Sequence, residues 1–144
     1  MYAFRAALPT LFALSANALF DCNENQKAFD PVDGKFVVHF TDSIDSHYNG
    51  NEPWIRICLP NDSGSWDNVD PLGIPCSTTP DKTFGPGETG LKSDLTVGLG
   101  GACDKNGGYG YLQYGSVIVN LMGDYSNGDV CGARYKGISC QFDL

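Results

Sequence analysis

Two histidines and their neighbours are the first residues to weigh for chemistry. His39 lies within Lys35 to Phe40, and His47 opens the run His47-Tyr48-Asn49-Gly50-Asn51-Glu52-Pro53-Trp54-Ile55-Arg56. An imidazole, the Glu52 carboxylate and the Arg56 guanidinium (with Arg134 as an alternative) therefore fall near consecutive strands. Such a set could move a proton and hold an anion. Neither histidine belongs to an H-E-x-x-H or H-x3-H pattern, so no metal and no cofactor is expected. A G-x-S-x-G elbow and a phosphate-loop lysine are both missing from the sequence. Asp67 and Asp70 near Trp66 could flank a sugar, with the indole as a stacking platform, although a solvated acidic loop is the plainer reading. Asp104-Lys105-Asn106-Gly107-Gly108 and the stretch Asp124 to Asp129 do not match the calcium-binding loop, whose acidic ligands recur at alternate positions before a glycine.

The compartment follows from the N-terminus and the cysteines. Arg5, the apolar stretch Ala6 to Ala16 and the small-residue site Ala16-Asn17-Ala18 have the layout of a secretory signal peptide over residues 1–18. The apolar stretch is too short to span about 30 Å of hydrocarbon, so no membrane segment is expected. Removing those 18 residues and Arg5 from 144 residues at −8 leaves a single domain, 19–144, of 126 residues at −9. All six cysteines, Cys22, Cys58, Cys76, Cys103, Cys131 and Cys140, lie in that mature part. An even count in a secreted chain reads as three disulfides, with 15 possible connectivities and no thiol left as a nucleophile. Zinc knuckles need close cysteine pairs, and the shortest spacing here is Cys131 to Cys140. Asn61-Asp62-Ser63 is a glycosylation sequon in a turn-rich segment.

The elements that must carry these groups read as strands. Phe36, Val38 and Phe40 share one face; so do Ile55, Ile57 and Leu59, then Leu95, Val97 and Leu99. Tyr109 to Met122 has apolar groups on both faces through Val117-Ile118-Val119 and Leu121-Met122, the mark of a central strand. Asn127-Gly128 then predicts a type I′ hairpin into Val130 to Lys136, with Asn120 opposite Tyr135 and Met122 opposite Ala133. Gly137 to Leu144, with Ile138, Cys140 and Phe142 on one face, would close a sheet edge. Pro60 to Gly90 holds five of the eight prolines and five of the 18 glycines, which predicts a long ordered loop pinned by Cys76. Trp66, Leu72, Ile74 and Phe84 would form a satellite cluster on it, and Asn23 to Phe29 could form a short helix. The expected fold is all-β: a disulfide-stabilised β-sandwich, with an irregular barrel as the alternative.

Charge and surface narrow the partners. A pI near 4.4 argues against nucleic acid, whose phosphates need clustered Lys and Arg. Tyr109, Tyr111 and Tyr114, joined by Tyr125 and Tyr135, could form a rigid amphipathic contact surface. The acidic charge speaks against a membrane-active antimicrobial or killer toxin, many of which are cationic.

Two resemblances complete the reading. An acidic, Gly- and Tyr-rich, disulfide-bonded β chain resembles the small secreted fungal ribonucleases of the guanyl-specific kind. That resemblance implies Glu52 as base, His39 or His47 as acid, and Arg56 or Arg134 on the phosphate. No histidine follows Trp54, whereas that family's acid comes from late in the chain. Taken whole, a signal peptide, about 126 mature residues, six cysteines, an acidic β-rich body and no catalytic motif is similar to the small secreted cysteine-rich fungal effectors. Avirulence proteins of the blackleg fungus Leptosphaeria and other plant pathogens belong to that group. The resemblance is one of architecture and carries over no binding residue. It implies a secreted, extracellular virulence factor; separately, a monomer without enzymatic activity is expected. Such a factor binds a host plant protein, outside or inside the host cell, and is detected by a matching resistance protein.

Overall fold

The computed structural model describes residues 19–25, 29–46, 48, 50–77, 81–104, 110–121 and 130–144. The expected signal peptide, residues 1–18, and the expected Asn127-Gly128 turn lie outside them. Among the described residues ten strands appear, in the order β1 (Lys35–Thr41), β2 (Trp54–Pro60), β3 (Trp66–Asn68), β4 (Leu72–Gly73), β5 (Asp81–Phe84), β6 (Leu95–Gly98), β7 (Tyr111–Tyr114), β8 (Val117–Asn120), β9 (Cys131–Arg134) and β10 (Gly137–Asp143). A single helical turn, α1 (Pro86–Thr89), joins β5 to β6. Pro86 suits its first position, and the Gly85 N–H donates to the Glu88 carboxylate at 3.0 Å.

These strands form two antiparallel sheets. One runs β3-β2-β1-β10-β9, with β4 also paired to β2; the other runs β5-β6-β7-β8. The sheets are not closed into a barrel, so the expected disulfide-stabilised sandwich is the fold. Its core lies between them and is built by the period-two faces. Phe36, Val38, Phe40, Ile55, Ile57, Ile138 and Phe142 from the larger sheet meet Leu95, Val97, Leu112 and Val119 from the smaller. Phe36 meets Tyr114 edge-to-face across the interface, with ring centroids 4.8 Å apart.

The disulfides are Cys22–Cys58, Cys76–Cys103 and Cys131–Cys140. The second bridge holds the proline-rich stretch to the segment after β6, and the third joins directly opposed residues of β9 and β10.

Several local expectations are corrected. The stretch from Pro60 to Gly90 is not one loop, because it contributes β3, β4, β5 and α1 to the fold. Strands of two to four residues fit between the prolines without giving one a central ladder position. No separate satellite cluster forms there: Ile74 and Phe84 join the main core, Leu72 packs against it, and Trp66 belongs to a second cluster. Residues 22–25 form a turn, and residues 26–28 of the expected short helix lie outside the described residues. The apolar run Tyr109 to Met122 is broken by Gly115 (φ +58°) into the β7–β8 hairpin, which makes β8 an edge rather than a central strand. Asn120 therefore pairs with Tyr111 and not with Tyr135, while Ala133 pairs with Ile138 in the other sheet. The last strand, β10, lies inside its sheet between β1 and β9.

Candidate functional site

The groups singled out for acid–base chemistry converge on the outer face of the larger sheet. Alternation turns Val37 and His39 away from the main core, and the register sets His39 opposite Arg56. An N-terminal arm covers this face. Phe20, Cys22 and Phe29 pack on Val37, Trp54, Cys58 and Trp66 as a second core, and Cys22–Cys58 bonds the arm to β2. Side-chain amides complete the seam. The Cys22 N–H donates to Asn68 Oδ1 at 2.9 Å, and Arg56 Nη1 donates to the same oxygen at 3.2 Å.

His39 is fully buried in that seam. Its ring stacks on Phe20 with centroids 3.7 Å apart and an interplanar angle of 6°. Nδ1 shares a hydrogen bond with Ser139 Oγ and Nε2 with Thr41 Oγ1, each at 3.0 Å. A neutral imidazole donates through one nitrogen and accepts through the other, so two hydroxyls satisfy it completely. Burial, helped by the Arg56 charge, lowers its pKa to about 3. Gly137 leaves room for the ring, since a Cβ there would stand 2.8 Å from His39 Cε1.

Arg56 is half-buried, and desolvation lowers its pKa against the opposing pull of Asp21 and Asp70. Its Nε is buried with no hydrogen-bond partner among the described residues. Glu52 lies in the turn before Pro53, outside β2, and its N–H donates to the Tyr48 carbonyl at 3.3 Å. The structure thus pairs His39 with Arg56 but seals the imidazole from solvent. His47 lies outside the described residues, and of Arg134 only the backbone is described.

The sugar-flanking arrangement is also altered by burial. Trp66 is buried under the arm, while Asp67 and Asp70 are exposed, so the indole offers no platform between them. The tyrosines separate as well. Tyr114 is buried between the sheets, and Tyr109 and Tyr125 lie outside the described residues. Tyr111 lies across Gly98 on the outer face of the smaller sheet, and its hydrogen bond to Asp81 raises its pKa. Asn61 sits in the β2–β3 loop. Its Oδ1 accepts from the Ser63 and Ser65 N–H groups, each at 3.1 Å, and its Nδ2 donates to Asp67 at 2.8 Å. Among the described residues no three His, Cys, Asp or Glu side chains are grouped to hold a metal ion. Among them, too, no helix is long and apolar enough to cross a membrane.

Sequence reasoning missed the arm. Its signal was present in Phe20 and Cys22, an aromatic and a cysteine directly after the predicted cleavage site. Nothing in their spacing says which sheet face they cover. Fold and site together define a disulfide-braced β-sandwich whose one described histidine is part of a packed seam. No known family model, curated protein or solved structure matches the chain.

Proposed function

We propose that the protein is a secreted virulence effector of avirulence type. It acts by binding a host plant protein and is recognised by a matching resistance protein. The observation that carries this reading is the state of His39, which is buried, neutral and bonded at both nitrogens. A general acid must reach the proton it transfers, and this ring faces only protein. A body braced by three disulfides suits an oxidising extracellular space. The chain works as a monomer with a glycan on Asn61, in an exposed loop away from the sandwich core. Neither nucleic acid nor a membrane is its partner.

Purified residues 19–144, infiltrated into leaves of a panel of plant lines, test the reading. A localised response in a subset of lines is expected. Uniform silence across the panel, or equal damage in every line and in co-cultured microbes, would overturn it.

A further inference from the structure

A disulfide exchanges with a free thiol through direct attack on one of its sulfurs, so access decides which bridge of a folded protein opens. The three bridges use all six cysteines and differ in access. Cys22 and Cys58 are 0% exposed in the second core, and Cys131 and Cys140 are 0% exposed where β9 pairs with β10. A thiol reaches either of these pairs only after the surrounding structure has opened. Cys76, by contrast, is exposed together with its neighbours Pro75 and Ser77, and Cys103 is half-buried.

The chain on both sides of Cys76–Cys103 is anchored by other contacts. Ile74, just before Pro75 and Cys76, is fully buried, and its N–H donates to the Pro53 carbonyl at 2.8 Å. Ala102, next to Cys103, is fully buried as well. Its carbonyl accepts from the Ser43 N–H at 2.9 Å and from the Ser43 hydroxyl at 2.7 Å. Between the two cysteines lie β5, α1 and β6, and β6 is paired to β7 by its own ladder. The bridge therefore adds a covalent closure to segments that burial and hydrogen bonds already hold.

We infer that Cys76–Cys103 is a thiol-exchange site, opened in the folded protein by a low-molecular-weight thiol while the other two bridges stay closed. The attacking thiolate bonds to Sγ of Cys76, the exposed cysteine, and the Sγ–Sγ bond breaks. The electron pair of that bond leaves on Cys103 Sγ, which takes a proton from water. Cys103 can return to expel the small thiol, so the mixed disulfide on Cys76 is reversible. A second small thiolate attacks the small-molecule sulfur of the mixed disulfide and frees Cys76 as a thiolate, which is protonated in turn. The sum is one protein disulfide reduced to two thiols and two small thiols oxidised to their disulfide. The opened form keeps both sheets, because the Ile74 and Ala102 anchors and the β6–β7 ladder do not pass through the bridge. This exchange goes beyond the proposed function and does not depend on a host partner.

The test incubates folded residues 19–144 with reduced glutathione and no denaturant, alkylates free thiols at intervals and locates both modifications by peptide mass spectrometry. Expected are a glutathione adduct on Cys76 and alkylation of Cys76 and Cys103. Both should appear about a hundredfold faster, or more, than labelling of the other four cysteines, which wait on unfolding. The opened form should keep its far-ultraviolet sheet spectrum, with a urea midpoint below that of the oxidised protein. Label divided evenly among the six cysteines, or appearing first at either buried bridge, overturns the inference. So does the absence of label until urea unfolds the chain. The double variant Cys76→Ser, Cys103→Ser should keep the sheet spectrum and a cooperative urea transition, and take up no label under the same conditions. An unfolded double variant would show that the anchors do not hold without the bridge, and overturns the inference as well.

Discussion

His39 shows how burial converts a candidate catalyst into a structural group. Its neutral ring fills the space between Phe20 and the sheet, and two hydroxyls satisfy its nitrogens. The consequence is a pH dependence of stability. The unfolded chain takes up a proton on this residue near its ordinary value of 6.5, whereas the folded chain resists protonation down to about 3. Stability from this source is therefore complete above pH 6.5 and is lost as pH falls toward 3. Urea unfolding at pH 7 and pH 4 should show wild type losing about 3 kcal/mol more than His39→Gln between the two conditions. Equal losses would show that the ring protonates in the folded state. Gly137→Ala tests the same packing sterically. The new methyl group meets the Phe40 carbonyl and the His39 ring, and should cost about 1–3 kcal/mol. A melting temperature unchanged by this substitution would contradict that contact.

At the scale of elements, the disulfides differ in what they close. Cys22–Cys58 spans 36 residues and fastens the arm, whereas Cys131–Cys140 spans nine and links neighbours already paired in the sheet. Loop-closure entropy makes the longer bridge worth about 1 kcal/mol more. The double-alanine variant at Cys22 and Cys58 should thus be the less stable of the two in chemical denaturation. The reverse order would mean that the arm contributes little to the folded body. Period-two patterns were enough to read β1, β2, β6 and β10, because each buries one face on the core. They failed over Tyr109 to Met122, where a turn at Gly115 reverses the chain and divides one apolar run between two strands. Pairing partners were not legible either. Asn120 and Ala133 belong to different sheets, a fact set by tertiary contacts rather than local sequence. The site was half legible: residue spacing put His39 and Arg56 near each other, but only the covering arm decides that the imidazole is sealed.

For the whole molecule, an acidic sandwich with three internal braces has a consistent physical logic. The bridges restrict the unfolded chain, the two packed faces bury the aromatic residues, and surface charge keeps most of the exterior from self-association. On the proposed function, activity depends on an intact surface and not on a proton-transferring side chain. The most direct measurement compares wild type, Glu52→Gln and reduced, alkylated protein, infiltrated side by side into a responding plant line. The account predicts an equal response to wild type and Glu52→Gln, and none to the reduced form. Loss of the response in a correctly folded Glu52→Gln protein would contradict it.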